Sequence, residues 1–311
     1  MAYNPAQQRV IDLLGKRPDP APMPEDLADS LLAFLTDELA EVAERIPDGR
    51  QVVASKHGLG TVHGCEAHHV ALEGTFAWSV PVARGSVVHK AIELTVAWRG
   101  EPHPLTLVEE ALERLADGDA DLSRFLAGLA EADRAQLLSE ANALVAGFLE
   151  GFPPLKREWR PVCESRSRVE LFDAKILLAG RVDLTLGGPT READGRARSD
   201  KVIIDLKTGA PATVHRDDLR FYALVETLKL GVAPRLLATY YLDSARPQPE
   251  EVTAELLWAA ARRTADGVRK MVALTFDGAE PAVRPGPACR WCPLQTTCPE
   301  GRVHLEQDAY G

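Results

Sequence analysis

The stretch KVIIDLKTG, residues 201–209, constrains the fold of this 311-residue chain more than any other segment. Val202, Ile203, Ile204 and Leu206 form a short, strongly apolar run. Such a run reads as a strand buried on both faces, which places it inside a sheet covered by helices. Asp205 and Lys207 interrupt it two residues apart, so both project from one face. A carboxylate and an ammonium at the end of a buried strand are costly unless they are paired or meet a metal ion.

The flanking segments supply the layers. Residues 25–47 carry apolar residues at helical spacing and stop at Pro47 and Gly49. Residues 85–98, GSVVHKAIELTVAW, predict a second helix with Ser86 as a cap. Residues 106–150 are rich in Ala, Leu and Glu and predict two or three helices, broken around Asp117–Asp121. RSRVELFDA and KILLAGRVDLTLGG predict paired strands around Phe172–Lys175. Thr190–Asp200 is polar and reads as a loop or hairpin tip. After the KVIIDLKTG strand come a helix stopped by Gly231, a strand in RLLATYYLDS, and a long helix starting in PEEVTAELL.

This order predicts an α/β fold with a mixed central sheet flanked by helices and a helical insertion at about 106–150. The expected division is a helical segment over 1–54, the main domain over 55–301 and a tail over 302–311. Residues 1–24 and 188–200 are candidates for disorder.

The chain has no apolar run near the length of a membrane span, and its start lacks the layout of a signal peptide. The expectation is a cytoplasmic protein without a membrane partner, in which clustered thiols bind metal instead of forming disulfides. The net charge of −10 argues against a general nucleic-acid binder. The acid is concentrated in 25–45 and 106–150, however, whereas Pro154–Arg168 and parts of 196–220 and 262–270 are basic. A local basic groove on an acidic body is compatible with this pattern. Arg166, Arg168, Arg216 and Arg220 could contact phosphates, although each alone is an ordinary solvated charge.

Asp183, in GRVDLTL, precedes Asp205 by one plausible strand. Two converging carboxylates suit a hard divalent cation such as Mg²⁺ or Mn²⁺. Lys207 could then orient a water or offset charge on a phosphate. The simpler alternative is an ion pair between Asp205 and Lys207. His89 could add a nitrogen ligand, with Glu93 one helical turn on either orienting it or facing solvent.

In order along the chain, GSVVHKAIE, LLAGRVDLTL, VIIDLKTG and DDLRFYAL resemble the motifs of the PD-(D/E)XK nuclease superfamily, and within it the RecB-type branch. The resemblance covers roughly residues 55–301. It implies a restriction-endonuclease-like core and a metal-dependent deoxyribonuclease. Such an enzyme would be an exonuclease acting on single-stranded DNA or DNA ends in repair, recombination or CRISPR-type processing. The alternative is a catalytically silent nucleic-acid-binding subunit of a helicase–nuclease complex. By resemblance, His89, Asp183, Asp205 and the main-chain carbonyl of Leu206 are the Mg²⁺ or Mn²⁺ ligands, and Lys207 is the catalytic lysine. Glu164 resembles the glutamate that commonly precedes the second motif. Tyr222 matches the tyrosine of a Gln-x-x-x-Tyr motif, but Asp218 stands where the glutamine is usual. An ionised aspartate cannot donate a hydrogen bond, which puts DNA-end positioning by this motif in question. The chain lacks a G-x-x-x-x-G-K-[ST] loop, so any helicase would be a separate partner.

Of five cysteines, Cys289, Cys292 and Cys298 lie at C-x2-C-x5-C spacing. Zinc and an iron–sulfur cluster both accept four thiolates. The fourth ligand is open between Cys65 and Cys163, with His304 as a zinc-style alternative. Cys163 enters a predicted strand and reads as a partly buried free thiol. Cys65 resembles the distant N-terminal cysteine of RecB-type nucleases that carry a cluster, such as AddB and the CRISPR-associated exonucleases. That likeness implies a 4Fe–4S cluster clamping the two ends of the domain, with zinc as the alternative. His57, His63, His68 and His69 crowd around Cys65 but read as turn or surface residues. Trp291 either shields the cluster or stacks on a base.

Overall fold

The computed structural model describes residues 2–15, 23–74, 76–191, 197–209, 211–212 and 214–308. The strands are β1 (Val52–Ala54), β2 (Val162–Leu171), β3 (Ile176–Leu186), β4 (Pro189–Arg191), β5 (Ala197–Ser199), β6 (Val202–Lys207), β7 (Leu236–Tyr241) and β8 (Arg246–Glu251). β3 organises the main sheet. β2 pairs with it antiparallel along its length, from Val162 opposite Thr185 to Leu171 opposite Ile176. The other edge of β3 is shared. β1 runs parallel to its start, at Ile176–Leu178, and β6 antiparallel to its end, at Leu184–Leu186. β7 then adds parallel to β6, and β8 antiparallel to β7. The mixed central sheet expected from the sequence is present, and β4 and β5 form a separate two-stranded ribbon.

The helices are α1 (Pro5–Leu14), α2 (Leu27–Glu44), α3 (Lys56–Gly64), α4 (Glu66–Ala71), α5 (Val80–Thr95), α6 (Pro104–Gly118), α7 (Ala120–Ala127), α8 (Glu131–Gly151), α9 (Val214–Leu230), α10 (Ala254–Phe276) and α11 (Pro299–Asp308). They cover the sheet on two sides. One core joins α2, α3, α9 and α10 to the sheet, and the other joins α1, α5, α6, α7 and α8. β6 demonstrates the two-sided burial read from its sequence. Ile203 belongs to the first core, while Val202, Ile204 and Leu206 belong to the second. Among the described residues no helix is long and apolar enough to cross a membrane.

The predicted hairpin turns at 172–175, with Phe172, Asp173 and Ala174 all at positive φ. The 106–150 region is three helices, and the Asp119 side chain caps α7 by accepting from the Asp121 and Leu122 amides. The helix expected over 85–98 begins earlier, at Val80 with Ser79 at its N-cap, so Ser86 lies inside it and donates to the Val82 carbonyl. Other features also depart from the sequence reading. Residues 5–14, expected to lack order, form α1, whose Asn4 and Gln7 make a reciprocal cap. Arg235 donates to the Leu14 and Gly15 carbonyls at its far end, at 2.6 and 2.9 Å. Residues 16–22 lie outside the described residues, as do 192–196; the flanks of the latter pair as β4 and β5. The stretch around Cys65, read as turn-rich, is helical as α3 and α4. Finally, RPQPEE is strand β8 and not the start of a helix. Its two prolines are tolerated because β8 is an edge strand, and Thr253 caps the helix that follows.

Two glycines allow the close packing that seats the site. At Gly180 of β3 a Cβ would lie 2.3 Å from Tyr222 Cε1, and at Gly267 of α10 one would lie 2.4 Å from Leu59 Cδ2. Gly180→Ala is therefore expected to destabilise the fold by about 1–3 kcal/mol through overpacking. Gly118→Ala, at a helical position with open space around it, is expected to be neutral or mildly stabilising. Urea unfolding of the two variants checks this contrast, and equal midpoints would count against the Tyr222–Gly180 contact.

Candidate metal centre and cysteine cluster

The ladder between β3 and β6 stops at the Leu184–Ile204 pair, and beyond it the strands part. There Asp183 Oδ2 accepts from the Leu206 amide at 2.8 Å, so a side chain takes the place of the missing ladder partner. Across β3, Glu164 breaks the β2 pairing and has φ +53. β3 changes face at this point: Val182 packs in the first core and Leu184 in the second. A non-glycine residue held at such a backbone angle is a local strain of the kind that clusters at functional sites.

His89 on α5 reaches this opening from the second layer. Its Nε2 lies 3.0 Å from the Leu206 carbonyl, which can only accept, so Nε2 carries a proton. Its Nδ1 faces Asp183 Oδ1 at 3.5 Å and Glu164 Oε1 at 3.9 Å. Burial alone would lower the imidazole, but Asp183, Glu164 and Asp205 raise it above the usual histidine value. Burial opposes ionisation of Asp183 too, yet His89, Lys56 and the Leu206 amide hold its carboxyl below the ordinary range. Glu164 is pushed up by burial and by Asp183, in spite of Arg181, whose Nε lies 2.7 Å from Oε2.

Ligand atoms of His89, Glu164 and Asp183 lie within 4.8 Å of one another and could hold a metal ion. The expected set was His89, Asp183, Asp205 and the Leu206 carbonyl. Glu164 comes closer than anticipated, and Asp205 stands apart from the group because its oxygens are drawn to two lysines. Asp205 is fully buried. Its Oδ2 lies 2.8 Å from Lys207 Nζ, and its Oδ1 lies 3.1 Å from Lys56 Nζ. The Oδ2 contact is an ion pair without hydrogen-bond alignment, which leaves a buried oxygen unsatisfied. The donor set fits a divalent cation.

Asp218, on α9, lies 3.7 Å from Lys207 Nζ. Burial pushes its carboxyl up to about 6, although Lys207 and Lys56 pull it down. Tyr222 turns inward: its hydroxyl donates to the Arg181 carbonyl at 2.7 Å, tying α9 to β3. Glu93 pairs with Lys90 and not with His89. Arg168 is paired with Glu170, and Arg220 with Glu250 at 3.0 Å, so neither is a free cation.

Lys56 is the site residue that sequence reasoning missed. It opens α3, and its ammonium also lies 5.1 Å from the centre of the Tyr222 ring. One signal was available: a lysine in the first turn of a helix opposes the helix dipole.

Cys65 joins α3 to α4, Cys289 lies in a single 3₁₀ turn (Pro287–Trp291), Cys292 follows that turn, and Cys298 precedes α11. All four line one cleft, which extends to Lys56, Lys207 and Asp218. Three sulfurs accept backbone N–H groups: Cys65 from Arg284 at 3.4 Å, Cys289 from Gly286 at 3.4 Å, and Cys298 from Gly301 at 3.3 Å. Burial and the neighbouring Cys289, Cys65 and Cys298 raise the Cys292 thiol. Cys163 is elsewhere, on β2 opposite Leu184, with burial pushing its thiol up to about 12. Of the nearby histidines, His69 meets the Thr61 hydroxyl at 2.7 Å and His63 the Arg263 carbonyl at 3.0 Å. Trp291 stands 67% exposed on the cleft wall.

Two solved structures resemble the chain in part. One is described as SSO0001, with 13% identity, a TM-score of 0.33, and coverage of 88% of this chain and 97% of the other. The second, from Eubacterium rectale, is named as a candidate exonuclease, with 14% identity, a TM-score of 0.40, and coverage of 80% and 86%. No curated protein matches the chain. The sequence matches the PD-(D/E)XK nuclease superfamily over residues 53–299, most of its length. The chain belongs to that superfamily.

Proposed function

We propose that this is a RecB-type deoxyribonuclease dependent on Mg²⁺ or Mn²⁺ that also carries a 4Fe–4S cluster and acts on single-stranded DNA or DNA ends. The observation that carries the reading is the meeting of His89 and Asp183 at the Leu206 main chain, beside the Asp205–Lys207 pair of the same strand. His89, Asp183, Asp205 and the Leu206 carbonyl would hold the divalent ion, with Glu164 within reach. When bound, such an ion polarises a phosphoryl oxygen and lowers the pKa of a water. The Leu206 amide and His89 keep the Asp183 carboxylate ionised and aimed. Lys207, paired with Asp205, would hold the attacking water and offset charge building on the phosphate. A separate helicase or recombination partner would deliver unwound DNA, in cytoplasmic repair, recombination or CRISPR-type processing.

Four thiols on one cleft could hold zinc or a cluster, and the likeness of Cys65 with the C-terminal triad to RecB-type nucleases that carry a cluster favours the cluster. Amide donors to three of the sulfurs suit metal-bound thiolates.

Intact protein should degrade labelled single-stranded DNA with Mn²⁺, and Asp205→Ala or Lys207→Ala should slow this at least about a hundredfold. Inactivity of the intact protein would favour a binding subunit, and full activity in Asp205→Ala would refute the site. Protein purified without oxygen should be brown. Cys65→Ala should lose the colour and Cys163→Ala should keep it, whereas a colourless protein with stoichiometric zinc would sink the cluster reading. The Asp218 carboxyl, raised from 3.8 to about 6, favours folding when protonated. Its contribution is present below the unfolded value and lost as pH rises through about 6. In metal-free buffer Asp218→Asn should therefore melt above wild type at pH 8, with the gap closing as pH falls towards 4. A gap independent of pH would show that Asp218 is not held protonated.

A further inference from the structure

Asp205 carries two ammonium contacts, from lysines of different origin. Lys207 shares its strand. Lys56 arrives from α3, 149 residues earlier in the chain, and takes the Oδ1 oxygen at 3.1 Å. A lysine gains nothing from the helix to which it belongs at this position, because the N-terminal end of a helix repels cations. Lys56 nevertheless aims its ammonium at the fully buried carboxylate of Asp205.

A divalent ion at Asp205 and an ammonium on the same carboxylate repel one another, and they compete for the same lone pairs. The lysine has somewhere to go. Its side chain is 29% exposed and borders two concavities. One holds Lys207 and runs to the cysteines. The other is lined by Asp217, Asp218 and Arg220 on α9 and by Arg263 on α10. The four-carbon stem is flexible, so the ammonium can swing away from Asp205 and the Tyr222 ring.

We infer that Lys56 is a displaceable counter-ion: it neutralises Asp205 while no divalent ion is bound, opposes that ion's approach, and on displacement contacts the phosphate backbone of the substrate in the adjoining cleft. The inference rests on the metal-dependent nuclease reading above. It makes Lys56 a positioning residue whose two roles have opposite signs for metal and for DNA. A residue that only supports the fold would weaken both.

The test uses the full chain with its cluster loaded and the variants Lys56→Met, which keeps an apolar stem, and Lys56→Arg, which keeps the charge. Titration calorimetry with Mn²⁺ in the absence of DNA should show several-fold tighter binding in Lys56→Met. Affinity for a single-stranded oligonucleotide, measured in Ca²⁺, should fall several-fold in the same variant, and KM should rise. Lys56→Arg should stay near wild type in both measurements. Mn²⁺ binding that is unchanged or weaker in Lys56→Met would overturn the inference, as would unchanged DNA affinity. Asp205→Asn separates this from the underlying reading. If it leaves wild-type Mn²⁺ binding intact, the metal site itself is wrong. If it abolishes binding while Lys56→Met fails to tighten it, only the role of Lys56 is wrong.

Discussion

The hydrogen bond from the Leu206 amide to Asp183 Oδ2 is the contact on which the rest of the site depends. A sheet normally satisfies an interior amide through its neighbouring strand. Here β3 and β6 separate after the Leu184–Ile204 pair, and a side chain takes over the bond. The exchange leaves the Leu206 carbonyl facing His89 and not a ladder partner. After His89 and Lys56, it also helps hold the Asp183 carboxyl below the ordinary range. One substitution of side chain for backbone thus opens the sheet, orients a carboxylate and exposes a carbonyl.

The opening lets the two helical layers meet through the sheet. His89 comes from the layer of α5 and contacts Asp183 and Leu206. Asp205 lies on the same side of β6 as Ile203, facing the layer of α3 and α9, and there it meets Lys56, with Asp218 close to Lys207. The core carries buried charges without stranding them, because each carboxylate has a cation or a donor within reach. At Asp205 Oδ2 that cation is Lys207, 2.8 Å away but not aligned as a hydrogen-bond donor.

Much of this was legible in the sequence, for identifiable reasons. β6 declared itself through uninterrupted apolar residues, and the β2–β3 hairpin through strands meeting at Phe172–Lys175. Asp183, Asp205, Lys207 and His89 stood out because charge inside such elements needs explanation. The missed elements share a property: what defines them comes from elsewhere in the chain. β8 is a strand because β7 offers an edge, despite Pro247 and Pro249. α3 is seated by Gly267, distant in sequence, and Lys56 has meaning only beside Asp205. The positive φ of Glu164 lies across β3 from the parting of β3 and β6, a relation between distant segments that no local pattern encodes.

α3 connects the two centres physically. It begins with Lys56 at Asp205 and ends at Gly64, immediately before Cys65. Nine helical residues at about 1.5 Å each make a rod of about 13 Å, too short and stiff to bend appreciably. One end is held by the Asp205 carboxylate and by packing on α10. The other is held where Cys65 accepts from the Arg284 amide, and where Ala67 and Glu66 bond across to Ala282. In the cluster reading, the four thiolates lock the C-terminal segment onto that far end, closing a loop of more than two hundred residues. A centre with no part in the chemistry would then still set the position of Lys56, because moving Cys65 moves the helix on which Lys56 stands.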